Sequence, residues 1–179
     1  MLQLARPTPD VHASFITAMD EFAEEGRGDP ADASVLGREL RLYGPTWREA
    51  GAFEHFVEGL IAQEREETPR PEGFVPSTTL WWVDGGDFIG RIVVRHRLTQ
   101  WLLDVGGHIG YDVRPSARGQ GHATRILNAA LPTAQRLGVD PALLTCDEDN
   151  VASRKVIEAN GGVFEDQRGV KLRYWVPTS

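Results

Sequence analysis

The spacing of the apolar residues changes once along this chain, near residue 70. Before that point apolar residues recur every three or four positions, as in Val11 to Glu25 and in the stretch from Thr46, a suitable N-cap, to Glu67. That spacing is typical of helices that bury one face. After residue 73 the chain is rich in β-branched and aromatic residues, beginning with Thr78 to Val83, which is typical of strands. The sequence therefore predicts a helical part over residues 1–70 and a sheet over residues 74–179.

The second part alternates strands with helices. Asp84-Gly85-Gly86-Asp87 is a tight-turn sequence that joins the first strand to a hairpin partner, Phe88 to Val94. The longer segment Leu98 to Gly107 is predicted to be a loop over a substrate cleft. The remaining predicted elements are a strand at His108 to Val113, a helix at Thr124 to Leu137 closed by Gly138, a strand at Ala142 to Cys146, a helix at Asn150 to Asn160 and a strand at Val170 to Val176. This order predicts a mixed α/β (α+β) fold.

Length and composition fit a single domain spanning residues 1–179. No apolar run reaches the roughly 20 residues of a membrane helix, and Met1 to Pro7 lacks the apolar stretch of a signal peptide, so a cytoplasmic location is expected. The net charge of −7 argues against nucleic-acid binding, and the basic run Arg95-His96-Arg97 is interpreted as a solvated strand end. One cysteine with scattered histidines predicts neither a disulfide framework nor a metal site.

The run Arg118-Gly119-Gln120-Gly121-His122-Ala123 lies between a predicted strand and a predicted helix. The first amides of a helix have no partner inside it, and with the helix dipole they attract anions. Gly119 and Gly121 allow a ligand to approach the backbone closely, and Arg118 adds a positive charge. The run has neither the Gly-Lys-Ser/Thr of a nucleotide P-loop nor the Gly-x-Gly-x-x-Gly of a dinucleotide fold. It suits a phosphate, although alone it could equally be a structural turn.

The surroundings of this turn match a known family more closely. The run from Gly107 to Phe164 resembles the GNAT superfamily of N-acetyltransferases, whose cofactor motif is Arg/Gln-x-x-Gly-x-Gly/Ala. The matching residues are Arg118, Gly121 and Ala123 in the motif, Asn150, Ser153 and Gly161 to Phe164 downstream, and Gly90 in the third strand. The resemblance covers roughly the C-terminal two-thirds of the chain. The helical first third looks particular to a subgroup of uncharacterised predicted acetyltransferases.

The resemblance implies a mixed, mostly antiparallel sheet flanked by helices and splayed between its fourth and fifth strands. Acetyl-coenzyme A would lie in that opening as the co-substrate, with no metal. Amides near Val113 would hold the pantetheine arm, those of the glycine turn the pyrophosphate, and the Tyr111 amide would polarise the thioester carbonyl. The implied cofactor-binding residues are Tyr111, Val113, Arg118, Gly119, Gln120, Gly121, His122, Ala123, Thr124, Asn150 and Ser153.

The implied reaction is direct attack of a primary amine on the thioester, which needs a neutral amine and a proton for the departing thiolate. Many family members donate that proton from a tyrosine seven residues after the helix asparagine, and counting from Asn150 reaches Ile157 here. The candidate catalytic groups are His108 as a base, the Tyr111 amide, and Glu148 at the end of the fifth strand. His108 could equally be structural.

Three functions stay open at this point. The first is an N-acetyltransferase acting on a small-molecule or peptide amine, with Trp101 expected to line the acceptor pocket. The second is a non-catalytic module of the same fold that binds acyl-coenzyme A, an alternative that Ile157 in place of the tyrosine keeps open. The third is a nucleotide-phosphate-binding domain that uses the same turn. The family also makes a homodimer possible.

Overall fold

The computed structural model describes residues 1–179 as seven strands and five α-helices. The strands are β1 (Leu2–Ala5), β2 (Ser77–Asp84), β3 (Asp87–Arg95), β4 (Ile109–Val113), β5 (Ala142–Asp147), β6 (Val163–Arg168) and β7 (Lys171–Val176). The helices are α1 (His12–Glu24), α2 (Val35–Tyr43), α3 (Ala50–Ala62), α4 (His122–Arg136) and α5 (Val151–Ala159). None of these helices combines the length and the apolar character needed to cross a membrane.

The strands form two sheets that diverge from one another. The first has the order β1-β2-β3-β4 and the second the order β5-β7-β6, with every ladder antiparallel. Between the two sheets, the His108 N–H donates to Leu143 O at 2.7 Å and the Leu143 N–H donates to His108 Nδ1 at 2.9 Å. Both β4 and β5 run away from this junction and form no ladder with each other. The predicted splay between the fourth and fifth strands is therefore confirmed.

Glycine is required where β4 approaches β5. Gly107 has a φ of +64°, and a Cβ at that position would lie 2.5 Å from Leu143 O. A side chain there would be strained by its backbone angle and would push the two strands apart. Gly107 therefore lets the sheets touch at one point, beyond which the opening widens.

Two hydrophobic cores lie on opposite faces of the first sheet. Trp81 packs with Phe15 and Phe53 beneath α1 and α3, whereas Trp82 belongs to the core that α4 covers. Adjacent residues of a strand point to opposite faces, and each face is covered by a core, so both tryptophans are buried. The second core includes residues of both sheets, among them Ile92 and Leu144. Packing on α4 thus holds the sheets together where hydrogen bonds between them are few.

Three details of the predicted elements are corrected. The first third is not wholly helical, because Leu2–Ala5 forms a strand that pairs with β2. The third helix begins at Ala50, since the Thr46 hydroxyl donates to Tyr43 O within a turn and does not cap the helix. The segment predicted to be a loop contains the π-helical turn Leu102–Gly106.

Candidate active site

A cavity of about 1530 Å³ runs through the opening between the sheets. We call the part formed by the N-terminus of α4, the diverging ends of β4 and β5 and the first turn of α5 the cofactor half. The part formed by α2, α3, β3 and the π-helical turn is the acceptor half. The two parts are continuous. The size is ample for a cofactor and a second substrate, since single-ligand pockets occupy roughly 300–1,000 Å³.

The cofactor half contains a row of backbone donors without acceptors. The N–H groups of residues 119–124 donate to no atom of the protein, because α4 begins at His122 and its first internal bonds are donated further along the chain. Gly119 and Gly121 both have a φ of +75°, and a Cβ on either would meet nothing within 4 Å. Together these features make an open amide cradle at a helix N-terminus, which favours an anion.

Ten of the eleven cofactor-binding residues implied by the resemblance line the cavity. They are Tyr111, Val113, Arg118, Gly119, Gly121, His122, Ala123, Thr124, Asn150 and Ser153. Gln120 is exposed outside it, and its carbonyl accepts a 2.9 Å bond from Arg125 Nη2. Asn150 caps α5 by accepting from the Ser153 N–H at 3.0 Å. The structure thus brings residues from three separate elements to one opening.

Arg118 is tied to the protein more closely than the sequence suggested. Its Nε donates to Val113 O at 3.1 Å, and its two terminal nitrogens each lie 2.7 Å from a carboxylate oxygen of Glu25. The hydrogen bonds to Glu25 raise the pKa of the Arg118 guanidinium. Arg118 therefore fixes the glycine turn against the end of β4 and against α1, and its charge is already shared.

His122 begins α4 and is held by a neighbour across the sheet. Its Nδ1 accepts a 3.1 Å hydrogen bond from Trp82 Nε1. Burial, together with the charge of Arg125, lowers the pKa of the imidazole. His122 is consequently a neutral acceptor that orients the first turn of α4.

The free edge of β4 supplies further donors. At the end of the strand the Arg114 N–H donates to Ile89 O in β3 at 2.9 Å. Because hydrogen-bonding direction alternates along a strand, the N–H groups of Tyr111 and Val113 point away from β3. Val113 O on the same edge accepts from Arg118 Nε. No strand pairs with β4 there, so the Tyr111 and Val113 amides face the opening.

The Tyr111 side chain crosses the opening towards α5. Its hydroxyl lies 2.7 Å from Ser153 Oγ, and burial raises its pKa to about 12. The next residue, Asp112, points to the opposite face, as strand alternation predicts, and pairs there with Arg27 and Arg91. Tyr111 is therefore a protonated phenol in the cofactor half throughout the neutral pH range.

His108, a candidate base, does not line the cavity. Its Nδ1 accepts the Leu143 N–H at the junction of β4 and β5. Burial, and then the nearby charge of Arg95, lowers the pKa of the imidazole to about 4. This arrangement favours a structural role over a catalytic one.

His108 should make the stability of the fold depend on pH. An unfolded histidine titrates near pH 6.5, so between about pH 6.5 and 4 the unfolded chain binds a proton that the folded chain does not. We expect the free energy of unfolding to fall as the pH is lowered through this range, and to fall less in His108→Asn, which keeps an acceptor for Leu143. Urea unfolding at pH 7.5 and pH 5 measures this. The control is His55→Asn, because the His55 side chain is 90% exposed. An equal pH effect on the unfolding free energies of wild type and His108→Asn would contradict the structural role of His108.

Glu148 and Ile157 also lie away from the cavity. Glu148 is exposed and accepts a 2.7 Å bond from Gln167 Nε2, while Ile157 is fully buried in the core beneath α5. Cys146 lines the cofactor half, where burial raises the pKa of its thiol. No group of three or more His, Cys, Asp or Glu side chains is arranged to hold a metal ion. Tyr111 is thus the one catalytic candidate from the sequence that the structure places in the cavity.

The acceptor half combines aromatic walls with a buried ion-pair network. Arg91 and Glu39, 2% and 6% exposed, are in direct contact, and Arg91 Nε lies 3.6 Å from Asp112 Oδ2. The aromatic residues that line this half are Tyr43, Phe56, Phe74 and Trp101. Trp101, expected in the acceptor pocket, is 57% exposed at its edge. The network was missed in the sequence because its members are far apart along the chain.

The run Arg95-His96-Arg97 is not simply a solvated strand end. Arg97 is exposed and pairs with Glu66, but Arg95 is half-buried and lines the acceptor half. Arg95 shares its face with Arg91 and Val93, but alternation alone would place Arg97 there too, and the two differ because β3 ends at Arg95.

Several solved structures with a similar fold are acetyltransferases. RimJ from Mycobacterium smegmatis, in complex with CoA-disulfide, is 16% identical with a TM-score of 0.64, over 98% of this chain and 80% of that one. The ribosomal-protein-S5-alanine acetyltransferase from Vibrio fischeri is 13% identical with a TM-score of 0.64, over 98% and 91%. The microcin C7 self-immunity acetyltransferase MccE, in complex with acetyl-CoA and AMP, is 14% identical with a TM-score of 0.63, over 98% and 92%. At these identities the likeness shows the fold.

The comparison with curated proteins found no match. The family is shown instead by a match of the sequence to a family model. This model, described as the acetyltransferase (GNAT) domain, matches residues 20–163, which is most of the chain and includes the amide cradle, β4, β5 and α5. The chain therefore belongs to the GNAT family of acyl-coenzyme-A-dependent acetyltransferases.

Proposed function

We propose that this protein transfers the acetyl group of acetyl-coenzyme A to a primary amine by direct attack of the amine on the thioester. The observation that carries the proposal is the row of free N–H groups at residues 119–124, which lies at the mouth of the opening between the sheets. A pyrophosphate would accept several hydrogen bonds there, each strengthened by its charge. The acceptor amine would enter from the acceptor half.

The free edge of β4 complements this cradle. The Val113 amide would bind the pantetheine arm, and Asn150 and Ser153 would contact the cofactor from the other side of the opening. When bound, acetyl-coenzyme A supplies the thioester that the amine attacks. The Tyr111 N–H would donate to the carbonyl oxygen, on which negative charge develops during the attack.

Proton delivery would use the Tyr111 hydroxyl in place of the missing helix tyrosine. The side chain lies in the cofactor half, and its high pKa keeps it protonated at neutral pH. Ser153 holds the hydroxyl next to the first turn of α5. The phenol would give a proton to the departing thiolate and recover one from water, which would take up the proton lost by the amine nitrogen.

Replacing Tyr111 with phenylalanine tests this role. We expect kcat to fall about 10- to 100-fold with little change in the KM for acetyl-coenzyme A, because a hydrogen bond to a charged group contributes roughly 1.5–3 kcal/mol. Steady-state kinetics at saturating amine measures the effect. Tyr43→Phe, which removes a hydroxyl from the acceptor half, is the control. A kcat equal to that of the wild type would assign proton delivery to water.

Release of free thiol tests the function as a whole. The protein would be incubated with acetyl-coenzyme A and a panel of primary amines. The panel includes peptides that begin with alanine, because one similar structure is an S5-alanine acetyltransferase. Thiol release that requires an amine is expected. Tight cofactor binding without any amine-dependent release would instead favour the non-catalytic module, for which the buried Ile157 is the supporting observation. The single domain, cytoplasmic location and homodimer stay predictions.

A further inference from the structure

Arg95 differs from Arg91, the other arginine of β3, in having no carboxylate partner. Within the acceptor half, Arg91 contacts Glu39, and Arg27 pairs with Asp32 and Asp112. Arg95 takes part in no ion pair, although it is half-buried. The carboxylates Glu39 and Asp112 on this face of the sheet are thus paired with Arg91 and Arg27 and not with Arg95. Two arginines that line this half, Arg38 and Arg95, have no ion pair within the protein.

The hydrogen bonds of Arg95 leave one side of its guanidinium unused. Nη1 donates to Gly106 O at 3.2 Å and to Gly107 O at 3.1 Å, which holds the end of the π-helical turn. Nε and Nη2 have no partner in the protein. These two nitrogens present parallel N–H groups, the geometry that binds both oxygens of a carboxylate. Only one of the three guanidinium nitrogens of Arg95, Nη1, is therefore used to hold the π-helical turn.

The Arg95 guanidinium lies close to Gly110, in the strand that carries the Tyr111 amide. Nη1 is 4.0 Å from the position that a Cβ of Gly110 would occupy, and no other atom approaches that position within 4 Å. Gly110 immediately precedes Tyr111, whose amide faces the opening. Burial and the charge of Arg91 lower the pKa of the Arg95 guanidinium, so a bound anion would relieve an unfavourable environment. The absence of a side chain at Gly110 leaves open space beside the guanidinium group.

We propose that the Nε and Nη2 side of Arg95 binds a carboxylate of the acceptor, so that the acceptor is an amine that also carries a carboxylate, such as an amino acid. This inference rests on the proposed function. A carboxylate fits better than a phosphate because Arg95 itself offers one charge and two parallel donors, which match the two oxygens of one carboxylate. The acceptor is favoured over the acyl group as its source, since Arg95 faces α2 and α3 together with the aromatic walls, whereas the cofactor half lies at α4 and α5.

Binding of a non-reacting probe tests the proposal without any need for turnover. We would titrate 3-phenylpropionate, and separately its uncharged amide, into the protein saturated with coenzyme A. The two ligands differ in one charge. Wild type should bind the carboxylate at least tenfold more tightly than the amide, because hydrogen bonds to charged groups are worth a tenfold to hundredfold change. Arg95→Gln should abolish the preference. Arg38→Gln, which removes the other cavity arginine without an ion pair, should retain it.

Kinetics with matched acceptors then identifies the source of the carboxylate. L-Phenylalanine is expected to have a kcat/KM at least tenfold above that of phenylalaninamide, and Arg95→Gln should remove the difference by lowering the kcat/KM of L-phenylalanine more than that of the amide. An Arg95-dependent preference for succinyl-coenzyme A over acetyl-coenzyme A, or for phosphoethanolamine over β-alanine, would overturn the proposal. So would equal binding of the two probes to wild type. If Arg95→Gln does not fold, Arg95→Lys keeps the charge without the paired donors and should lose most of the preference.

The two failures are distinguishable. Loss of the proposed function would appear as no amine-dependent thiol release from any acceptor, whatever the probes do. Failure of the Arg95 proposal would appear as acetyl transfer, or probe binding, that is equally strong with and without a carboxylate on the ligand.

Discussion

Gly121→Val is expected to weaken coenzyme A binding at least about 100-fold while the protein stays folded. Gly121 has a φ of +75° and its missing Cβ faces open space in the amide cradle. Valine would place two methyl groups there, and loss of two hydrogen bonds to a charged ligand at roughly 1.5 kcal/mol each corresponds to that factor. Calorimetric titration of coenzyme A into each variant gives the affinity directly.

Gly138→Val separates the loss of the cradle from backbone strain. Gly138 lies at the other end of α4 with a φ of +80°, and a Cβ there also meets nothing within 4 Å. A residue other than glycine costs about 1–2 kcal/mol in this conformation, so both variants should be destabilised alike. Only Gly121→Val should lose affinity. Two folded variants with the same affinity for coenzyme A would place the pyrophosphate elsewhere.

Arg91→Met is expected to destabilise the fold by about 3–5 kcal/mol, because it leaves the Glu39 carboxylate buried without its partner. Both side chains are almost inaccessible to solvent, and they join β3 to α2. The loss is a large part of the roughly 5–15 kcal/mol that stabilises most domains. Urea unfolding followed by circular dichroism measures it.

A double replacement shows whether the cost arises from the pair. Glu39→Leu combined with Arg91→Met removes both charges, leaves Asp112 paired with Arg27, and should recover much of the stability. Arg97→Met, in the exposed pair with Glu66, should leave the urea midpoint unchanged. A double variant as unstable as the sum of its two single changes would argue against direct coupling.

The predictions from the sequence succeeded where the signal was local and periodic. The change of spacing near residue 70, the turn at Asp84 to Asp87 and the close of α4 at Gly138 all depend on neighbouring residues, and the structure confirms them. The strand Leu2–Ala5 was missed because four residues carry too little periodicity, and pairing with β2 decides its conformation. The same holds for Val163–Arg168, whose mostly exposed residues give no apolar pattern.

The site was predictable in its cofactor half and much less so in its acceptor half. A glycine turn before a helix has a local pattern, so the sequence was enough to place Gly119 and Gly121. The sequence could not show that His108 would be enclosed at the strand junction, nor that Arg95 would face the cavity while Arg97 faces solvent. Those outcomes depend on packing between distant segments, such as α2 against β3.

The amide cradle also bears on how far such sequences can diverge. Most of its donors are main-chain groups, which every residue except proline provides, so the proposed ligand binding would restrict side-chain identity mainly at Gly119 and Gly121. Substitutions can therefore accumulate over most of the surface and core without removing the donors. Folds as alike as this one and RimJ can then share only 16% of their residues. The acceptor half, built from side chains, is where divergence would change the substrate.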